Sequence, residues 1–383
     1  MAIELSNLTF TEQDDIVPES GVEQILNTGI ANTFAGNDEI TGTIGDYAFK
    51  NVGTLDTDSG NDKITGTSTG VGIGNFGTLI AGEGNDTITG NGYFGIENYG
   101  TLNTDDGKDI ITATGVVYGL NNYGTLNTGQ GNDIITSITT IPPYLYVPSL
   151  YNPGFIDTSD GDDIITSSSN TVGISNEGII NSGNGKDSII CQGEFINQGE
   201  VFLEDGNDLI SVNHSTYNVI VANYNFIGTG DGDDTITSTG LIRNTGVIET
   251  GNGDDSIIVG LDIEGSIGVR MIQNYGGLID MGDGNDSIIA YDGFESAPNS
   301  SGAWFLGEGE DYIKGYGSGD FYGGNGFDTL ELTPGTYTVV IWDRVVFAKG
   351  NSLMLASEFE QLIAGDQTYD FTSLTHGQII NVS

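Results

Sequence analysis

The stretch GTLNTGQGNDIIT, Gly124 to Thr136, decides the fold, because nearly the same stretch returns about every 24 residues. It combines three glycines, two asparagines and an aspartate with three aliphatic residues. Such a mixture is too polar for a core and too regular for a linker. Repetition at a fixed period is typical of a solenoid that grows coil by coil.

One aspartate in each copy provides the reference position of the repeat. In Gly124–Thr136 this residue is Asp133, with glycine two residues before it and isoleucine two residues after it. Aliphatic residues recur seven residues before the reference aspartate, and asparagine recurs eleven residues before it. The reference aspartates are Asp38, Asp62, Asp86, Asp109, Asp133, Asp163, Asp187, Asp208, Asp234, Asp255, Asp286, Asp311 and Asp328.

The spacing of these columns predicts strands and turns. Positions −13, −11, −9 and −7 alternate by two, which is the period of a β-strand. The N-x-G step predicts a corner in which the asparagine side chain bonds neighbouring backbone groups. We therefore predict an all-β chain, a parallel β-roll or β-helix solenoid of about 12 coils with irregular capping segments at both ends. The predicted division is an N-terminal cap over 1–32, the repeat over 33–330, and a C-terminal cap over 331–383.

The charge balance excludes several classes of partner. The formal net charge is −45, with 9 Lys+Arg against 54 Asp+Glu, so the chain repels nucleic acids and anionic lipid surfaces. No stretch is long and apolar enough to predict a membrane-spanning helix. The single cysteine, Cys191, is predicted to be a buried apolar residue, and it allows no disulfide within the chain. The N-terminus lacks the basic and apolar regions of a Sec signal peptide.

Stacking of the coils has a consequence for the reference aspartates. They fall in a single row along one edge, each about one strand spacing from the next. We call this row of reference aspartates the file. Adjacent carboxylates at that distance repel each other and raise each other's pKa, so the file needs cations. Carboxylates combined with glycine-rich carbonyl groups suit Ca²⁺, whereas Mg²⁺ gives up its water reluctantly and Zn²⁺ prefers Cys and His ligands. All thirteen aspartates are candidate calcium ligands.

The last copy, Gly323 to Leu330, reads G-G-N-G-F-D-T-L. It resembles the nonapeptide repeat G-G-x-G-x-D-x-aliphatic-x of RTX, or haemolysin-type, calcium-binding proteins. Upstream copies resemble it in part, since Thr128 and Ser182 replace the first glycine. The resemblance implies one row of about 8–12 Ca²⁺ ions, each between two stacked loops and held by an aspartate oxygen from each loop and by backbone carbonyls. It also implies type I secretion, with a possible export signal near the C-terminus, and folding in external calcium, hence an extracellular or cell-surface location.

Three functions stay open at this stage. The first is a secreted, non-enzymatic calcium-binding protein with a structural, surface or adhesion role and a cell-surface or extracellular polysaccharide as a candidate partner. The second is a polysaccharide-active enzyme of the lyase or epimerase kind, or its accessory module, although His214 and His376 stand in no catalytic context. The third is ice binding, for which the third position of each loop shows no threonine ladder.

Two insertions interrupt the period of the repeat, and one position within the repeat is often aromatic. Ile138–Pro153, with Tyr144, Tyr146 and Tyr151, predicts an ordered surface flap or a contact for a partner or glycan. Gly260–Gln273 contains Arg270, for which we predict a salt bridge. A recurring aromatic column predicts either a stabilising ladder or a sugar-binding surface; it consists of Phe76, Tyr99, Tyr123, Tyr224 and Tyr275.

Overall fold

The computed structural model describes residues 2–18, 22–140, 142, 145–214, 219–260, 271–296 and 302–383. They form two compact units, Met1–Glu204 and Asp205–Ser383. Within each unit the described residues are β-strands and loops with one short 3₁₀-helix, Leu5–Asn7 in unit 1 and Phe371–Ser373 in unit 2. The predicted all-β solenoid with coils of about 24 residues is confirmed.

Unit 1 contains a broad and a narrow parallel sheet. The broad sheet consists of Ala2–Glu4, Ile16–Val17, Gln24–Asn27, Glu39–Gly42, Tyr47–Asn51, Lys63–Thr67, Val71–Asn75, Thr87–Asn98, Ile110–Asn122, Ile134–Thr139, Pro148–Asn152, Ile164–Asn176 and Ser188–Asn197. The narrow sheet consists of Ile30–Asn32, Thr54–Asp56, Thr78–Ile80, Thr101–Asn103, Thr125–Asn127, Phe155–Asp157, Ile179–Asn181 and Glu200–Phe202.

Unit 2 repeats this arrangement and ends differently. Its broad sheet consists of Leu209–Asn213, Val219–Asn223, Thr235–Ser238, Leu241–Asn244, Ser256–Val259, Met271–Asn274, Ser287–Ala290, Gly293–Glu295, Tyr312–Lys314, Thr329–Leu332, Gln361–Ala364 and Gln367–Asp370. Its narrow sheet consists of Phe226–Gly228, Val247–Glu249, Leu278–Asp280, Ala303–Gly309, Gly319–Gly326, Gly335–Ile341, Val345–Lys349, Ser352–Ser357 and Ile379–Val382.

Each regular coil follows the same path. A three-residue strand of the narrow sheet leads into a loop that contains the reference aspartate, which we call the aspartate loop. The chain then runs through the broad sheet and returns to the narrow sheet through the N-x-G corner. Strands pair in parallel with the corresponding strand of the next coil, as Leu79 does with Leu102 and Ile88 with Ile111. The aspartate loops therefore stack directly on one another within each unit.

The core between the two sheets consists of the two aliphatic columns found in the sequence. Leu79 and Leu102 of the narrow sheet, and Ile88 and Ile111 of the broad sheet, are all completely buried. Side chains alternate along a strand, so each coil buries its aliphatic residues and turns the intervening polar residues outward. Burial of these aliphatic rows is the main favourable contribution to folding.

A ladder of buried asparagines lines the corner between the sheets. The Nδ2 group of Asn98 donates to Oδ1 of Asn122 and to the carbonyl oxygen of Thr125, at 2.8 Å each. Asn122 makes the equivalent bonds to Asn152 and Phe155 in the following coil. The predicted bonds to backbone groups are present, and the ladder adds side-chain bonds from coil to coil.

The parallel order changes at the C-terminal end of unit 2. Gly335–Ile341 pairs antiparallel with Val345–Lys349 and with Ile379–Val382. Gln361–Ala364 still pairs in parallel with Thr329–Leu332, and it pairs antiparallel with Gln367–Asp370 on its other side. The last parallel edge of the broad sheet is thus covered by an antiparallel strand, which protects it from pairing with other chains.

Candidate metal centre

The aspartate loop has a fixed backbone conformation. The residue four before the reference aspartate is left-handed in every loop, including the non-glycine residues Asp58 and Asp105, with φ of 62° and 57°. Aspartate tolerates this region better than most residues do. The residue two before the aspartate has φ of 149° at Gly84 and 140° at Gly131, a conformation that favours glycine.

Glycine at this second position also allows the coils to approach closely. A Cβ atom on Gly60, Gly84 or Gly161 would lie 1.4–1.6 Å from the carbonyl oxygen of the matching glycine in the preceding coil. Among the described residues, no hydrogen bond reaches those carbonyl oxygens, which belong to Gly36, Gly60 and Gly131. The loops therefore direct a row of free carbonyl oxygens into the gaps between coils.

The reference aspartates stand in file, as the repeat predicted. Within unit 1 the backbone N–H of each aspartate donates to Oδ1 of the next one; the bonds from Asp62 to Asp86 and from Asp86 to Asp109 are both 2.7 Å long. Unit 2 continues the pattern with bonds such as that from Asp255 to Asp286, at 2.8 Å. One oxygen of each of these carboxylates is thus fixed by the backbone of the neighbouring coil.

The second carboxylate oxygen is the unusual feature of the file. The aspartates are almost completely buried, with 0–2% of each residue exposed. Eleven of them hold a buried Oδ2 for which the described residues supply no hydrogen-bond partner; they are Asp38, Asp62, Asp86, Asp109, Asp133, Asp163, Asp234, Asp255, Asp286, Asp311 and Asp328. Buried polar atoms are rarely left unpaired, because each one costs free energy.

No protein-family model matches the chain. A comparison with curated proteins also gives no match. Among solved structures, the chain is similar to a hyperactive, Ca²⁺-dependent, β-helical antifreeze protein from an Antarctic bacterium. The TM-score is 0.48, with 18% sequence identity over 96% of this chain and 96% of that chain. At this level of similarity, the match carries no information on the ligand or function of this chain.

Burial strongly raises the pKa of the aspartate carboxyl groups in the file. Together with the smaller effect of the charges on neighbouring aspartates, burial raises the pKa of Asp86, Asp163 and Asp286 to about 8. Burial raises the pKa to about 7 for Asp109 and Asp255. The values are about 6 for Asp62, Asp133, Asp187, Asp234, Asp311 and Asp328. Repulsion between neighbours, which the sequence predicted as the cause, is real but smaller than the effect of burial.

The donor set of these loops consists of oxygen atoms. The described residues contain no cluster of three or more His, Cys, Asp or Glu side chains that could hold a metal ion. Any ion in a gap would therefore combine two carboxylates with backbone carbonyls. Such a set fits Ca²⁺, which accepts carboxylate and carbonyl oxygens in flexible geometry, better than it fits Zn²⁺.

In eight of the thirteen loops a buried threonine or serine stands five residues before the reference aspartate, and in seven of these its hydroxyl group bonds the next coil. The Thr57 hydroxyl donates to the carbonyl oxygen of Ala81, at 2.7 Å, and Thr250 bonds Met281 in the same way, at 2.8 Å. The hydroxyl proton of Thr57 is thus directed at the next coil, and Oδ2 of Asp62 stays without a partner among the described residues. This explains why threonine or serine replaces the first glycine of the loop in many copies.

Two further carboxylates belong to the file and were missed in the sequence. The N–H of Asp15 donates to Oδ1 of Asp38, at 2.7 Å, so Asp15 occupies the reference position of an earlier coil. At the other end, the N–H of Asp328 donates to a carboxylate oxygen of Glu360, at 2.8 Å. One part of the repeat is present at both ends, because an aliphatic residue, Val17 or Leu362, is buried two residues after the carboxylate. The other part is missing, because Gln13 and Glu358 stand where the repeat has glycine, two residues before the carboxylate.

The remaining predicted features have separate locations. Thr171 fixes the Ile138–Pro153 flap by donating to the carbonyl oxygen of Leu145, at 3.2 Å, while Tyr144 lies outside the described residues. Arg270 also lies outside them. Cys191 is buried, as predicted. In the described part of the chain, no helix combines the length and apolar character that crossing a membrane requires.

Proposed function

We propose that the aspartate loops bind a row of Ca²⁺ ions and that the protein is a calcium-dependent β-solenoid. The observation that supports this most directly is the file of buried Oδ2 atoms that lack a partner. At neutral pH, aspartates with a pKa of about 6, such as Asp62 and Asp133, are ionised even though they are buried. Bound cations would neutralise this charge and complete the bonding of the file.

The proposed ligands are the thirteen reference aspartates together with backbone carbonyls of the loop glycines. In this proposal Asp62 and Asp86 share an ion, and so do Asp86 and Asp109, which leads to about 8–12 ions in all. Asp15 and Glu360 extend the row beyond the repeat region, 33–330, into the predicted caps, 1–32 and 331–383. A bound Ca²⁺ supplies positive charge between two coils, and the chain contributes the rigid, dehydrated loop that positions the oxygens.

Calcium binding and folding would then be coupled. Without cations, stacking of the coils brings carboxylates together and buries them, which opposes folding; binding to the folded state alone stabilises that state. This behaviour fits an RTX-like protein that is exported unfolded and folds in extracellular calcium. We propose a structural, surface or adhesion role outside the cell for the folded protein.

Calcium titration of chelator-treated protein tests the proposal. At pH 8, we expect circular dichroism to report disorder without calcium and recovery of β structure on addition of Ca²⁺. Calorimetry should give a stoichiometry of about 8–12 ions per chain. Mg²⁺ at the same concentration should be much less effective. Unchanged β structure in excess chelator, together with absence of calcium binding, would refute the proposal.

A threonine row favours ice binding as a second candidate function. Thr65, Thr89 and Thr112 face each other in register on the outer face of the broad sheet of unit 1. The row continues in both directions to give six threonines, which are Thr41, Thr65, Thr89, Thr112, Thr136 and Thr166. Hydroxyl and methyl groups repeated at one strand spacing, about 4.8 Å, present a periodic surface suited to a periodic ligand such as ice.

Thermal hysteresis measurements distinguish this candidate from simple calcium binding. If the row binds ice, the calcium-loaded protein should show hysteresis that Thr112→Lys abolishes. Ile179→Lys, on the outer face of the narrow sheet, should leave it unchanged. Absence of hysteresis in the folded protein would exclude ice binding without affecting the calcium proposal.

A further inference from the structure

A buried acidic side chain lies on the outer face of the broad sheet in unit 1. Ile96 and Asn98 point into the core and are completely buried, so Glu97 between them points outward. The strand register places Gly74 on one side of Glu97 and Asn121 on the other. Although it belongs to the outer face, Glu97 is only 8% exposed. Other side chains must therefore cover it.

Aromatic rings provide this cover. Phe76, Tyr99 and Tyr123 form a continuous stack, with ring centroids 5.2 and 5.0 Å apart and interplanar angles of 6° and 5°. The rings at the two ends are turned edge to face, Tyr47 against Phe76 at 74° and Tyr151 against Tyr123 at 83°. The predicted aromatic column is thus a stacked ladder through these three residues, closed by a perpendicular ring at each end.

A second, shorter stack stands on the same strands. Phe94 and Tyr118 lie 5.9 Å apart at 18°, and Tyr118 is 6.2 Å from Tyr151. Tyr151 therefore contacts both stacks. We call the whole set the aromatic frame; its members are Tyr47, Phe76, Phe94, Tyr99, Tyr118, Tyr123 and Tyr151.

The polar groups inside the frame lack partners. Asn121 is 5% exposed, and its Oδ1 is buried without a hydrogen-bond partner among the described residues. For Glu97, the described chain supplies neither a hydrogen bond nor an ion pair. The neighbouring position in the register is Gly74, where a Cβ would lie 2.5 Å from the ring of Tyr47. Glycine there leaves the space that the ring occupies.

The electrostatic surroundings favour a cation at this place. Burial raises the pKa of Tyr47 and Tyr99, and the charge of Glu97 raises both further, so the carboxylate lies within electrostatic range of the two hydroxyl groups. The frame already attracts one ammonium group: Nζ of Lys50 lies 5.1 Å from the Tyr47 ring centroid and 5.4 Å from that of Phe76. Such contacts are cation–π interactions.

From this geometry we propose that the aromatic frame binds an alkylammonium group, with Glu97 as the counter-ion and Asn121 as a hydrogen-bond acceptor. A cation would neutralise a carboxylate that is otherwise buried and unpaired, an arrangement that costs free energy. The net charge of −45 also attracts cations to the surface. This site is independent of the calcium file.

A neutral sugar fits the frame less well. Sugars are usually held against open ring faces, whereas the faces of Phe76, Tyr99 and Tyr123 are covered by one another. The two groups without partners, the carboxylate of Glu97 and Oδ1 of Asn121, are both hydrogen-bond acceptors, which suits the N–H donors of an ammonium group. The same chemistry occurs in an amino sugar polymer and in the lysine side chain of a protein partner, so the experiment must separate these two sources.

Calorimetric titration of the calcium-loaded protein with n-butylammonium chloride, at constant ionic strength, tests the proposal. We expect saturable binding that Glu97→Gln weakens by roughly tenfold or more, since this change keeps the shape and removes the charge. Glu12→Gln removes the same charge from an exposed position, and we expect it to leave binding unchanged. Equal loss in both variants, or no saturable binding, would overturn the proposal.

Further ligands identify the source of the ammonium group. Tighter binding of a chitosan oligomer than of a lysine-rich peptide of equal charge would indicate an amino sugar polymer, and the reverse order would indicate a protein partner. An uncharged oligosaccharide should not compete; competition by it with no effect of butylammonium would contradict the proposal. Tyr99→Leu serves as a second variant, because it removes a ring without changing charge and should weaken every ammonium ligand.

Discussion

At the residue scale, the glycine two positions before each reference aspartate determines how closely the coils stack. Gly131 has φ of 140°, and a Cβ atom there would lie 1.4 Å from the carbonyl oxygen of Gly107. The positive φ and the short distance each disfavour any residue other than glycine at this position. The backbone favours glycine, and the space that a side chain would need belongs to the carbonyl group of the preceding coil.

Gly131→Ala should therefore destabilise the calcium-loaded protein by more than backbone strain alone explains. Gly350→Ala is the matched control, because Gly350 also has a positive φ, 62°, but has nothing within 4 Å of the added Cβ. We expect about 1–2 kcal/mol for the control, and at least about 2 kcal/mol more for Gly131→Ala because a backbone clash is added. Urea denaturation measures both, and similar losses in the two variants would contradict the close stacking.

The reference aspartate itself gives a prediction that changes sign with calcium. In Asp163→Asn, Oδ1 can still accept the N–H of Asp133, while a buried acid with a pKa of about 8 is removed. Without calcium, we expect stabilisation by roughly 1–3 kcal/mol, because the chain no longer has to protonate a buried acid in order to fold. With calcium, we expect destabilisation, because an anionic ligand is lost.

Asp162→Asn is the control for this change. Asp162 precedes Asp163, is exposed, and accepts the N–H of Lys186 through Oδ1, at 3.0 Å. It alters the net charge equally and should have little effect in either condition. Urea denaturation curves of both variants near pH 5, where the calcium-free chain is expected to be folded, with calcium and in metal-free buffer, provide the comparison. A stability change of Asp163→Asn that has the same sign in both conditions would argue against a metal-ligand role.

At the element scale, the sequence predicted the coil well where each coil repeats the same chemistry. The alternating columns around Leu126 and Ile135 identified both strands of the coil and the loop between them. The sequence did not reveal Asp15 or Glu360, because the glycine two residues before the carboxylate is absent at both ends of the file. At these ends, stacking occurs on one side only. Nor did the sequence reveal Glu97, which occurs in a single coil and becomes buried through rings that come mostly from neighbouring coils.

The asparagine ladder allows a test of the stacking of elements. Asn122→Ala removes the donor to Asn152 and Phe155, and it leaves Nδ2 of Asn98 with one of its two acceptors, the carbonyl oxygen of Thr125. Because these groups are completely buried, we expect a loss of about 2–4 kcal/mol, more than one unsatisfied group would cost. The midpoint of urea denaturation in calcium reports this loss.

Asn91→Ala is suited as a control for the ladder. Asn91 is half-buried on the broad sheet, and its Nδ2 makes only a long contact to the Thr67 hydroxyl, at 3.5 Å. We expect a change within about 0.5 kcal/mol, as for ordinary surface substitutions. Equal effects of the two variants would mean that the ladder adds little to the cohesion of the coils.

At the scale of the whole molecule, the file links stability to pH. For twelve of the thirteen reference aspartates, burial raises the pKa above its ordinary value, to about 6 at Asp62 and about 8 at Asp286. Between about pH 4 and pH 8, the folded chain therefore binds more protons than the unfolded chain. Linkage requires that the stability of the calcium-free protein falls as the pH rises through this window. Below it, both states are protonated, and above it both are ionised.

Calcium should reverse this dependence, because ions and protons compete for the same carboxylates. We expect the calcium-free protein to be folded near pH 5 and to lose β structure towards pH 8, whereas saturating calcium keeps it folded at pH 8. The stabilisation by calcium should accordingly be larger at pH 8 than at pH 5. Circular dichroism and urea denaturation at both pH values, with protein freed of metal by dialysis, measure these differences. A calcium-free protein whose stability rises with pH would show that the buried aspartates do not control folding, and the metal-row proposal would lose its physical basis.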